Sequence, residues 1–149
     1  MSGPAARVAR ALWRALPGDL LGRGALALSG ARVSRVVDVG DVGRVVLAED
    51  RRLGRWLDVI PRAPTAMTFG RVVLARSPLS DRVVRHEAEH VRQWALLGPL
   101  FLPAYLCAGV IARLRGADSY AGNAFERAAV DASDHATAIR AGAGYHTVS

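Results

Sequence analysis

The chain has 149 residues, 51% of them hydrophobic, which is enough for one domain with a moderate core and too apolar for general disorder. Its formal net charge is +7, but every one of the 20 basic residues is arginine, and they are scattered along the chain rather than interleaved with aromatic residues, so nucleic-acid binding is not expected. The single cysteine, Cys107, excludes an intrachain disulfide framework and suits a reducing, cytoplasmic compartment, and its apolar neighbours make it a packing residue rather than a nucleophile.

Residues 1–30 read as a separate amphipathic segment. Val8, Leu12, Ala15 and Leu16 form an apolar stripe beside Arg7, Arg10 and Arg14. Arg14, Pro17, Asp19 and Arg23 break the continuous apolar core that an export signal needs. Such a segment either packs on the domain, as a propeptide does, or rests peripherally on an anionic membrane surface. Three valine-rich stretches follow, Arg32 to Val39, Arg44 to Ala48 and Thr68 to Ala75, and their glycine, proline or aspartate boundaries predict strands. Gly40-Asp41-Val42-Gly43 is a turn and not a phosphate loop, because no helix-forming stretch follows it. Gly43 to Ala48 recurs almost unchanged as Gly70 to Ala75, which two short copies explain by shared strand composition rather than by a repeat architecture.

Ser80 or Asp81 then caps a helix over 81–97, which Gly98-Pro99 stops. Val83, His86, His90, Trp94 and Leu97 share its core-facing side, while Arg82, Arg85, Glu89 and Arg92 point mostly to solvent. Trp94 to Ala112 carries no charge and is long enough to cross a membrane. Gly98-Pro99 and Pro103 cut that run, so a buried helical hairpin with a second helix near 102–115 is expected instead. An alanine-rich helix near 123–141 and a flexible tail over 142–149 complete the chain. The predicted architecture is α+β: one domain over 31–141, with a small sheet from residues 31 to 76 packed on three helices, the first of them carrying the histidines.

His86-Glu87-Ala88-Glu89-His90 fits the HExxH pattern of zinc hydrolases. Two histidines four residues apart lie one turn apart on one helix face and can grip one ion, and the glutamate after the first can take a proton from water on the metal's open side. Catalytic zinc usually has three protein ligands. The downstream candidates are Asp118, Glu126, Asp131, Asp134, His135 and His146. Glu126 shares a face with Ala129, Val130 and Ser133, suited to close packing on the metal helix. His135, nine residues on, falls on nearly the opposite face, so both cannot ligate one ion from a straight helix.

His86-Glu87-x-x-His90 followed by Asn123-x-x-Glu126-x-x-Ala129 resembles the gluzincin metallopeptidases, especially their small single-domain members. The run from His86 to Gln93, with Leu97-Gly98-Pro99-Leu100-Phe101 and Tyr105, also looks like a set of small bacterial HExxH proteins. The resemblance covers roughly residues 67 to 130, and its specific part is the HExxH core. It implies a zincin-like domain with zinc on His86, His90 and Glu126, and Glu87 as general base in peptide-bond hydrolysis. It also implies that Phe69 to Ala75, just before the metal helix, pairs an extended peptide or protein substrate at the sheet edge, an ordinary core strand being the equal alternative. In one respect the chain departs from the pattern. Many gluzincins place an aspartate four residues after the ligand glutamate, and Val130 stands there, with Asp131 turned about 100° away.

Amide hydrolysis also needs a donor for the developing oxyanion. Tyr105, Tyr120 and His135 are candidates, and Tyr105, on the next apolar helix, is the choice. Two other readings stand beside the hydrolase. A membrane-associated protein with a structural zinc would close its site with a fourth ligand, His135 or His146, and a basic nucleic-acid-binding domain would gather its arginines on one face.

Overall fold

The computed structural model describes residues 4–39 and 43–143, with side chains from 17 to 39 and from 43 to 135. The predicted turn at Gly40–Gly43, the apolar stripe from Val8 to Leu16 and its arginines, the candidate ligand His146 and all but the first two residues of the expected tail therefore lie outside the described residues.

The protein is α+β. Helix α1 (Pro4–Ser29) leads into strands β1 (Arg35–Asp38) and β2 (Arg44–Glu49), then α2 (Arg52–Leu57), β3 (Ala66–Phe69) and β4 (Val72–Ala75). Helix α3 (Asp81–Leu97), a 3-10 turn (Gly98–Leu100), α4 (Phe101–Leu114) and α5 (Ala124–Ala143) follow. The sheet order is β1-β2-β4-β3, antiparallel except for the central β2–β4 pair. The HExxH residues lie on α3, the third helix in the chain.

The expected single strand from Thr68 to Ala75 is instead a hairpin. Phe69 pairs with Val72 across Gly70-Arg71, and Gly70 has φ 58, the first central position of a II′ turn. Consequently β4 lies between β2 and β3, and the free edge before α3 is β3, not the segment Phe69 to Ala75. The recurring GRVVLA segments lie on adjacent parallel strands one residue out of step, Val46 opposite Val72. Equivalent residues thus face opposite ways: Val45 and Leu47 pack with Val91 of α3, whereas Val72 and Leu74 pack with Leu53 and Leu57 of α2.

The sheet is covered on both faces, by α3 on one and by α1 and α2 on the other. Residues 17–29 of α1 pack on the domain. Asp19 is 7% exposed and accepts from the Arg71 backbone N–H at 2.7 Å and from its guanidinium at 2.6 and 3.0 Å. Gly18 and Gly70 permit this approach, since a Cβ on Gly18 would stand 2.6 Å from Gly70 N and 2.8 Å from the Trp94 ring. At the other end of the sheet, Glu49 accepts from Ser34, Arg35 and the Leu79 N–H and so fixes the chain entering α3. Burial opposes charge on Glu49, but those donors outweigh it and hold its pKa below the ordinary value.

The helical run Asp81–Leu114 spans 34 residues and is apolar enough to pass for a membrane span by length and composition. Gly98, with φ 58 and ψ −133, breaks it into α3 and α4. Helix α4 departs from the expected buried hairpin. Only Phe101 and Ala112 are buried on it, and Leu106, Val110, Ile111 and Leu114 are exposed.

Candidate metal centre

The Ser80 hydroxyl accepts from Val83 N at the start of α3, and Asp81 in the first turn complements the helix dipole. One turn later His86 and His90 leave the same side of α3, with ring centroids 4.9 Å apart. Helix α5 brings Glu126 against them from its first turn. Below Glu126, Ala129 and Ser133 are 0% and 2% exposed, and their small side chains allow α5 to lie close to α3. Val130, assigned to that face by the sequence, is 40% exposed and lines the cleft with Glu126 and Ser133 instead of packing closely.

The candidate ligand atoms of His86, His90 and Glu126 lie within 4.8 Å of one another. His86 Nε2 is 3.2 Å from Glu126 Oε2, and His90 Nε2 is 3.4 Å from Glu126 Oε1. Ligand atoms about 2.0–2.1 Å from a tetrahedral zinc stand about 3.3 Å apart, so the spacing suits one ion. An ion pair between glutamate and protonated histidine shows similar distances. Glu126 Oε2 is buried with no well-aligned hydrogen bond, and its neighbour is His86 Nε2, so a proton on His86 would satisfy it as a cation would.

Gln93 fixes which nitrogen of His90 faces the centre. Its Nε2 donates to the Phe125 carbonyl at 3.0 Å, and a carbonyl can only accept. The other end of the amide, Oε1, is 2.8 Å from His90 Nδ1, so Nδ1 must carry a proton. Neutral His90 therefore turns the lone pair of Nε2 toward Glu126, the state a metal ligand needs. Phe101 packs against His90 and against Trp94 and Phe125, which keeps bulk water from this side of the ring.

The electrostatics of the three groups are mutual. Burial lowers the pKa of His90, but Glu126 and Glu87 outweigh it and the net shift is upward. Burial raises that of Glu126, but His86, His90 and Tyr105 more than offset it and the net shift is well downward.

Glu87 sits beside this cluster without joining it. It is 6% exposed, and its Oε2 accepts from the Thr68 hydroxyl at 2.6 Å. Thr68 is on β3, and its carbonyl accepts from Trp94 Nε1 at 3.1 Å, so edge strand and helix hold each other in register. Sequence reasoning did not single out Thr68, because only the β3–β4 hairpin brings it to α3. Gln93 was visible as a polar residue one turn after His90, on a helix that buries polar groups.

The Tyr105 hydroxyl is 2.5 Å from Glu126 Oε1, so it is engaged with a candidate ligand. Tyr120 lines the same cleft as Glu126. Burial and that carboxylate push both phenols well above their ordinary pKa. Asn123, 1% exposed, donates to the Tyr105 carbonyl and accepts from Phe125 N, tying α4 to the start of α5.

The remaining candidates stand elsewhere. His135 is exposed with Nδ1 on the Asp131 carbonyl of its own helix, Asp134 pairs with Arg82, and Asp118 pairs with Arg62. The cluster opens into a cleft of about 930 Å³ between β3, α3, α4 and the start of α5. A second cavity of about 710 Å³, on the far face of the sheet, is lined by no titratable group among the described residues. Comparisons with protein-family models, with curated proteins and with solved structures give no match.

Proposed function

We propose that this protein is a zincin-like metallopeptidase, a small relative in kind of the gluzincins, that hydrolyses peptide bonds in the cleft beside β3. The observation that carries this reading is the pairing of a three-residue N,N,O cluster, its ligand atoms within 4.8 Å of one another, with the buried carboxylate of Glu87, next to His86 in the chain, held outside it. Zinc on His86, His90 and Glu126 would polarise the scissile carbonyl and lower the pKa of water toward neutrality.

The protein's own groups supply the rest. Glu87, aimed by Thr68, accepts a proton from the attacking water and returns it to the leaving amine. Gln93 keeps His90 in the ligating tautomer. Tyr105 is our candidate donor to the developing oxyanion, a role that requires its single O–H to turn from Glu126 Oε1. The outer edge of β3, whose Thr68 carbonyl is already taken by Trp94, offers its remaining backbone groups to an extended peptide or protein substrate. The compartment we propose is cytoplasmic, with peripheral membrane association and no nucleic-acid partner.

Glu87→Gln tests the reading. The purified variant should keep about one zinc per chain and its thermal stability, while cleavage of a broad peptide library falls about 10²–10⁴-fold. Two outcomes count against a peptidase: zinc-loaded wild type that cleaves nothing, or a variant as active as wild type. A structural zinc site would then be the better description, although no fourth ligand joins the cluster among the described residues.

A further inference from the structure

The outer face of α4 reverses the usual rule for a surface helix. Leu106, Val110, Ile111 and Leu114 are 47–82% exposed, and Cys107 is exposed among them. At 100° per residue these five side chains fall within one half of the helix circumference. Leu100, just before α4, is 67% exposed. Arg113 and Arg115 stand at the helix end, and no acidic residue occurs between His90 and Ala117.

We infer that α4 is a docking helix that seats this protein on an anionic lipid bilayer. The charge pattern selects the occupant: an apolar face that ends in two arginines and has no nearby carboxylate on its own segment complements acyl chains beneath anionic headgroups. Spanning does not fit, since 14 residues reach only about 21 Å against a hydrocarbon core of about 30 Å. A second copy of the chain fits poorly too. Two such faces set against each other would add arginine to arginine. Leu106 and Val110 belong both to this face and to the cleft wall. Docking therefore opens the cleft at headgroup level, and under the hydrolytic reading, on which this step rests, the substrate is a polypeptide segment lying at the membrane surface.

The lone cysteine gives a direct probe, because Cys107 lies on the docking face. Full-length protein carrying an environment-sensitive fluorophore on Cys107 is mixed with vesicles of phosphatidylcholine alone or with phosphatidylserine added, and unlabelled protein is sedimented with the same vesicles. The expected result is a blue shift and co-sedimentation with the anionic vesicles, both weakened by salt. Ile111→Glu combined with Leu114→Glu should lower binding about tenfold or more, with zinc content and thermal unfolding unchanged. Arg113→Gln should weaken it about fivefold. Wild type that stays in the supernatant, the double variant binding as wild type does, or a dimer in light scattering that the double variant dissolves would each overturn the proposal. Glu87→Gln separates the two readings: if neither it nor wild type hydrolyses any peptide yet both bind vesicles, docking stands and only the hydrolase reading fails.

Discussion

The α3–α5 wall of the cleft buries polar side chains, whereas the α4 wall exposes apolar ones. On the first wall Glu87, His90, Gln93, Asn123 and Glu126 are all buried, and small residues let the two helices approach closely. These polar groups are held by others, with Thr68 on Glu87, Gln93 on His90 and Tyr105 on Glu126. On the second wall the outward side chains are mostly apolar, Leu106, Val110, Ile111 and Leu114 among them. Burying polar groups costs free energy unless they are paired, and exposing apolar ones costs unless something covers them. The first wall thus points to a small charged occupant within, the second to an extended apolar one without.

The strongest way to break the comparison is to empty the first wall. Glu126→Ala removes one ligand and the partner of both histidines, and zinc affinity should fall by at least about 10³-fold in competition with a chelator. His135→Ala, which alters an exposed residue, should leave it unchanged. Full zinc retention by Glu126→Ala would mean that the cluster is an ion-pair network and not a metal centre. Gln93→Ala should have a smaller effect. It frees His90 to adopt the wrong tautomer, and loss of such a partner typically weakens metal affinity about 10–100-fold. An unaltered affinity would show that the ring is held by Phe101 packing alone.

Much of this wall was legible before any coordinates. The cap at Ser80, the four-residue spacing of His86 and His90, and Glu126 opening an alanine-rich helix are local patterns, and local patterns survive folding. Thr68 was not legible, because the II′ turn at Gly70-Arg71 lies inside a valine-rich run that reads as one strand. Helix α2 was missed for a similar reason: six residues interrupted by Gly54 give too short a period to register. The exposure of α4 was misread because apolar composition says that a segment avoids water, not what shields it.

Acidity sharpens the comparison further. Glu126 is lowered from its ordinary 4.5, so its contribution to metal-free stability is present above that pH and is lost as pH falls through the folded value. His90 is raised from 6.5, so its contribution is present below 6.5 and is lost as pH rises through the folded value. Without metal the cluster should stabilise most between those two ordinary values. Zinc requires neutral imidazoles and should stabilise more as pH rises. The difference in melting temperature between zinc-loaded and chelator-treated protein should therefore widen from about pH 5.5 to about pH 8. A difference that narrows over that range would contradict ligation by His86 and His90.

The smallest expected effect lies at the rim, where the cleft's looser side is tied across. Arg62 and Ala63 have φ 73 and 43, conformations that side chains other than glycine rarely adopt. Arg62 makes a two-pronged ion pair with Asp118, and both are exposed. Solvent screening leaves such a pair little strength, so Asp118→Asn should barely move the melting temperature. At Ala63 two terms oppose each other. Glycine relieves about 1–2 kcal/mol of left-handed strain but gives the unfolded chain about 0.5–1 kcal/mol of extra freedom. Ala63→Gly should therefore change stability by under about 1 kcal/mol, in the stabilising direction, as read by denaturant unfolding. A loss larger than that would mean that the methyl group itself packs, and that this rim belongs with the tightly built wall rather than the open one.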